Sequence, residues 1–176
     1  MIFYLLPQQT IDLNRSTTAY FFGAGHDKID PADKLTLDRI QDRLQDLINR
    51  QVEDGYTNFI VEIKEGLDLI FAATALSLLK DYRYFNRLSL IPIIPFSMKK
   101  FSPPWREIRT KILKARIPVF CLSKNDYPRL EQVARQFMLQ HSSRLLGQLS
   151  DSSPETLQLI EQGRRNNLSI VDIGRL

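Results

Sequence analysis

Soft metal ligands are nearly missing from this chain: its 176 residues hold one cysteine and two histidines. No two of them have ligand spacing, so a zinc cluster is excluded and no metal is expected. The lone Cys121 cannot form an internal disulfide. Set in the apolar run IPVFCL, it reads as a buried structural thiol, with a reducing cytoplasm as the expected compartment. Long apolar runs are also lacking. The amino-terminal MIFYLL has no basic start and meets Pro7 at once, so neither a secretory leader nor a membrane span is expected, and the protein should be soluble. There is no internal repeat and no low-complexity segment. Nor does one sign of charge dominate: 24 basic residues face 20 acidic ones, a formal +4, scattered except for small groups at 106–116 and 164–165. A dedicated DNA binder usually concentrates charge on one element or interleaves it with exposed aromatics. The sequence displays neither pattern, which leaves nucleic acid open as a partner without indicating it.

What is present is an ordinary globular composition, 43% hydrophobic, over a length that fits one domain spanning residues 1–176. The stretch 57–82 organises it. Residues 58–63 form an apolar, β-branched run that alternates poorly, as a strand covered on both faces should. From Gly66, apolar Leu67, Ile70, Phe71, Ala75, Leu78 and Leu79 recur at three- and four-residue intervals, which predicts a buried amphipathic helix. The same grammar continues on both sides. Residues 1–6 read as a short edge strand or extension, and the following loop to 16 has no clear place. TTAYFF at 17–22 is a strong strand. Asp30-Pro31 or Asp33 caps a helix running to about Asp54, where Gly55 stops it. RLSLIPIIPF at 87–96 is a strand whose Pro92 and Pro95 predict a place near a sheet edge or an early break. A helix over 105–116, a strand over 117–122, a helix from Pro128 to about His141, a strand over 143–149, a helix from Ser153-Pro154-Glu155 to Arg165 and a strand over 168–173 complete the pattern. Strands alternating with helices predict an α/β three-layer sandwich around a mostly parallel sheet of about five to six strands.

In such a fold, ligands bind where loops leave the carboxyl ends of the strands. Gly25, or Gly23, would let backbone amides approach a phosphate. Gly66 could do the same at a helix start, although Glu62, Glu65 and Asp68 beside it would repel one unless Lys64 or another cation intervenes. His26 is either an acid, base or ligand contact, or a turn histidine in solvent. Asp68 either binds a ribose or sugar hydroxyl or stabilises a helix dipole. Trp105, with Arg106 and Arg109, either offers a stacking surface or docks a helix on the sheet. The hydroxyl-rich segment 150–156 either holds an anion or simply caps the next helix. No Ser/His/Asp or Cys/His constellation can be assigned, so no catalytic residue and no cofactor is named.

The order of these motifs resembles the YpsA-like branch of the SLOG superfamily, a Rossmann-like group. TTAYFFGAGHDKI is similar to that branch's strand followed by Gly-His-Arg-Pro, and EGLDLIFAATALSLLK to its Gly-x-Asp helix start. LIPIIPF with Trp105 is similar to its strand, Pro-Phe and downstream Trp, and VFCLSKNDY to its strand ending in Ser and Tyr. The resemblance implies a Rossmann-like domain with a pocket for a nucleotide or nucleotide-derived ligand bounded by Gly25, His26, Gly66, Asp68, Pro95, Phe96, Trp105, Ser123 and Tyr127. The chain also departs from the pattern. Asp27 stands where the branch has Arg, and Ser150-Asp151-Ser152-Ser153-Pro154-Glu155-Thr156 replaces a Gly-Gly-Thr turn, so the implied phosphate site is degenerate.

The leading expectation is therefore a cytoplasmic, sensor-type module for a small nucleotide-type ligand, with self-association into a homo-oligomer left open. The rivals are a nucleotide- or nucleoside-processing hydrolase using His26 or a loop carboxylate, and a structural or partner-binding protein with a vestigial pocket.

Overall fold

The helix that follows Gly66 is the centre of the molecule. It runs Leu67–Leu78 (α2), and nine of its twelve residues are buried. Its Phe71 lies flat against Phe21, with ring centroids 3.9 Å apart and planes 8° from parallel. A helix so apolar must be covered nearly all round, and here a sheet lies beneath it with a helix on each side.

The computed structural model describes residues 2–4, 11–23, 29–96, 100–124, 128–149 and 153–174. The strands are Ile2–Tyr4 (β1), Thr18–Phe22 (β2), Asn58–Glu62 (β3), Ser89–Phe96 (β4), Val119–Ser123 (β5), Arg144–Gly147 (β6) and Ser169–Asp172 (β7). The remaining helices are Lys34–Glu53 (α1), Pro103–Lys114 (α3), Leu130–Gln140 (α4) and Pro154–Arg165 (α5). The strands form one open sheet in the order β1-β5-β4-β3-β2-β6-β7, and every pairing is parallel. The α/β three-layer, Rossmann-like sandwich read from the alternation of elements is borne out. The sheet has seven strands rather than five or six, because the segment at 2–4, read as an edge strand or extension, pairs with β5 as β1. Among the described residues no helix is long and apolar enough to cross a membrane.

Side-chain alternation assigns the layers. Ala19, Phe21, Phe59, Val61, Leu90 and Ile94 pack with Ile40, Leu44 and Ile48 of α1, with α2, and with Trp105 and Ile112 of α3. Tyr20, Phe22, Ile60, Ile91 and Ile93 face Ala134 and Met138 of α4 and Leu159 of α5. Helix entry and exit follow local chemistry. Asp33 accepts the Thr36 amide at 3.2 Å to start α1, and Ser153 accepts the Thr156 amide at 3.2 Å to start α5. Gly55, with φ +91°, follows the end of α1.

The expectation drawn from Pro92 and Pro95 is corrected. β4 lies in the interior, between β3 and β5. Its ladder with β3 runs from Ser89 to Ile93, and its ladder with β5 begins at Ile93. Pro92 therefore precedes the β5 ladder, and Pro95 lies past the last β3 pair. Each proline sits where one neighbouring strand is not yet paired or no longer is, so a missing N–H leaves no partner stranded.

Candidate functional site at the strand-order reversal

From β2 the chain builds outward through β3, β4 and β5, then crosses by α4 to lay β6 and β7 on the other side of β2. The order reverses between β2 and β6, and the carboxyl ends of those strands border the crevice where open α/β sheets hold ligands. Both ends finish in glycine for steric reasons. A Cβ on Gly147 would lie 2.2 Å from the Phe22 carbonyl oxygen, and one on Gly23 would lie 2.7 Å from both the Asp68 amide nitrogen and Leu67 Cβ. Backbone thus approaches backbone at distances that leave no room for a side chain.

Asp68, in the first turn of α2, fixes this junction. Its Oδ1 accepts the Gly23 amide at 2.9 Å, and its Oδ2 lies 3.6 Å from Lys64 Nζ with no hydrogen-bond partner of its own. The residue is 1% exposed. Burial pushes its carboxyl up to about 7, although the Lys64 ammonium and the Gly23 amide pull the other way. Burial acts to lower the Lys64 pKa, but the Asp68, Glu62 and Glu155 carboxylates outweigh it and the net direction is upward. The two upward shifts make opposite demands on the pair, since a charged Lys64 favours an ionised Asp68. The rise at Asp68 has the firmer physical cause, because one of its oxygens is both dry and unbonded, while Lys64 stays cationic in either case.

Beneath this junction Phe22 carries two cations. Lys64 Nζ stands 4.3 Å from its ring centroid and the Arg135 guanidinium carbon 5.9 Å. Arg135 comes from α4 and is ion-paired with Glu155 at the start of α5. Glu62, at the end of β3, is buried, and so is Tyr20, whose hydroxyl pKa is driven well up by burial and then by the Glu62 and Asp68 charges. Three carboxylates, Glu62, Asp68 and Glu155, thus surround two cations. The cluster offers a polyphosphate no surplus positive charge.

The carboxyl ends of β2, β3, β4 and β5 lie along one rim, since the strands are all parallel. Gly66, buried with φ 104°, opens α2 beside Asp68. Pro95 and Phe96 end β4, Ser123 ends β5, and Phe96 pairs with Ser123 across the sheet. Trp105 lies in the first turn of α3, which follows β4. It is 4% exposed and packs α3 into the core. Gly25, His26 and Tyr127 lie outside the described residues. Glu65 accepts the amide of Ser102, the residue before α3, which engages one of the carboxylates flanking Gly66. Of the hydroxyls at 150–156, Ser153 caps α5 and Thr156 is buried. Cys121 is buried, its thiol donating to the Ser123 carbonyl at 3.0 Å.

Sequence reasoning did not single out Arg135, Glu155 or Tyr20 for this site. Glu155 falls in the segment 150–156, which reads as an anion holder or a plain helix cap, and Arg135 lies within the helix from Pro128 to about His141 with no motif around it. Only the fold brings residues 20 positions apart to the same strand end. Among the described residues no group of three or more His, Cys, Asp and Glu side chains is placed to hold a metal ion. Neither a protein-family model nor a curated protein matches this chain.

Proposed function

We propose that the protein binds a small nucleotide-derived ligand in the crevice between β2 and β6, as a sensor-type module in which the phosphate-binding part of the site is degenerate. The observation that carries this reading is the reversal of strand order beside Gly23, Asp68 and the amino end of α2. It joins the usual ligand position of an open α/β sheet to a helix start that favours a partial negative charge. The charge balance argues for a weakly anionic ligand. Lys64 and Arg135 are already matched by carboxylates, so recognition falls to hydrogen bonding with base and sugar edges. The likeness to the YpsA-like pattern supports the same class of ligand, with Gly66, Asp68, Phe96 and Ser123 as contact residues and with Gly25, His26 and Tyr127 completing the set.

A second reading is favoured by one observation. A buried carboxyl poised at about 7 suits a general acid or base, which is what a nucleoside- or nucleotide-cleaving hydrolase would need at this position.

One experiment separates the two. Thermal unfolding is followed with nucleosides, mononucleotides, cyclic dinucleotides and sugar nucleotides, and each mixture is then assayed for cleavage. A ligand at 100 times its Kd adds about 2.7 kcal/mol, a rise in Tm of roughly 5–11 °C for a chain of this size. A shift without turnover supports the sensor, and turnover lost in Asp68→Asn supports the hydrolase. No shift and no turnover with any compound overturns both.

A further inference from the structure

The basic residues look scattered along the sequence, yet two segments hold the whole surplus. Residues 80–87 and 106–116 contain eight of the 24 bases and two of the 20 acids, a surplus of six in a chain whose total is four, which leaves the remainder two acidic. The fold brings these segments together on one side of the molecule. Lys80, at the end of α2, lines the same groove as Lys111, Lys114 and Arg116 of the α3 region, over an apolar floor of Leu76, Leu79, Ile112 and Ile117. That groove, about 650 Å³, has beside it two more hollows of about 370 Å³ each, which share lining residues with it. One shares Leu79 and reaches Phe85. The other shares Lys111 and Lys114 and runs along α3 to Arg106. Together they mark out a track along α3 and the start of β4, on the α2–α3 side of the molecule.

Its aromatic residues are unusually placed. Tyr82 is 87% exposed and Phe85 77% exposed, whereas Tyr84 between them is buried. They stand among Lys80, Arg83 and Arg87. Asp81 is taken by Arg83, at 2.6 Å, and Glu107 by Lys111, at 2.9 Å. Lys80, Arg87, Lys114 and Arg116 have no ion-pair partner among the described residues. Unpaired cations alone would suit any polyanion. Cations in a groove with projecting aromatic faces suit a polyanion that also carries flat, stackable rings.

We propose that this face binds single-stranded nucleic acid, with phosphates along Lys80, Arg87, Lys114 and Arg116 and bases stacked on Tyr82 and Phe85. The aromatics decide against a purely acidic peptide, which offers nothing to stack, and a duplex keeps its bases turned inward. This inference does not depend on the nature of the ligand in the crevice.

The test is fluorescence anisotropy with a labelled oligothymidylate on the whole chain. Parallel measurements use a duplex of equal length, polyglutamate, and vesicles of mixed phosphatidylserine and phosphatidylcholine. If four phosphates are neutralised, affinity for the single strand should fall roughly fifty-fold between 50 and 200 mM salt. Replacing Tyr82 and Phe85 together by Ala should weaken it about tenfold or more at fixed salt. Lys114→Glu with Arg116→Glu should weaken it and flatten the salt dependence, whereas exposed Arg39→Glu and Arg164→Glu should change it little. All these side chains are exposed, so the variants should stay folded. No binding at low salt overturns the proposal. So does equal or tighter binding of polyglutamate or vesicles, indifference to loss of the two aromatics, or an equal effect of the control substitutions.

Discussion

The Asp68 carboxylate accepts the Gly23 amide at 2.9 Å, joining residues 45 positions apart. Through this bond the end of a central strand is fixed to the first turn of the most buried helix. The stability of that junction and its response to pH are consequently one question.

Asp68 should make the protein less stable as pH rises. Its folded pKa, about 7, lies above the ordinary 3.8. Between those values the folded state binds more protons than the unfolded chain, so its stabilising contribution is complete below the lower value and is lost as pH rises through about 7. The full effect is on the order of 4 kcal/mol. Urea titrations from pH 4.5 to 8 should register this decline in the wild type and a flatter profile in Asp68→Asn. Parallel profiles for the two proteins would contradict the assignment.

Removing the carboxylate altogether should cost more than neutralising it. Asp68→Ala leaves the buried Gly23 amide without an acceptor, a loss of roughly 1–3 kcal/mol before the cavity is counted. Asp68→Asn can keep that acceptor. The order of the two urea midpoints at pH 6 checks this, and an alanine variant as stable as the asparagine variant would show the bond to be dispensable.

The two glycines at the strand ends should resist even alanine. Gly23→Ala places a methyl 2.7 Å from backbone and should destabilise by about 1–3 kcal/mol. Gly147→Ala, with its methyl 2.2 Å from the Phe22 carbonyl oxygen, should be worse, because β2 and β6 must move apart. Comparing both with Gly55→Ala, which meets nothing within 4 Å but has φ +91°, separates crowding from backbone strain.

Phe71→Ala removes a fully buried ring stacked on Phe21 and should cost about 3–5 kcal/mol, and Phe71→Leu markedly less. Trp105→Ala should cost a similar amount by loosening α3, with little change for a crevice ligand in protein that remains folded, since the ring faces the core. Chemical denaturation gives the first quantity and titration calorimetry the second.

The helices and strands were legible in the sequence because their signals are local. Asp33, Gly55 and Ser153 punctuate the helices where their chemistry requires, and the apolar run at 58–63 is what a strand covered on both faces must look like. Pro92 and Pro95 misled because the rule about sheet edges concerns amides that need partners, and whether an amide needs one depends on how far the neighbouring strands extend. Trp105 was ambiguous for a related reason, as both of its readings require the same amphipathic helix. At the crevice, Asp68 could be read as important but not as the acceptor of Gly23. Arg135 and Glu155 could not be paired, since nothing along the chain announces which loops the sheet will bring side by side. The exposed Tyr82 and Phe85 were hidden in the same way: a sequence tells that a residue is aromatic, not that it is left in water.

A sheet made only of parallel neighbours contains no hairpin, and this governs the order of events in folding. Ala19 is bordered by Phe59 on one side and by Arg144 on the other, the latter 125 positions on. The middle of the sheet cannot close until most of the chain has left the ribosome, so Tyr20 and Phe22 wait uncovered while it is made. With contacts so distant along the chain, slow folding and dependence on chaperones during synthesis are the expected companions of this topology.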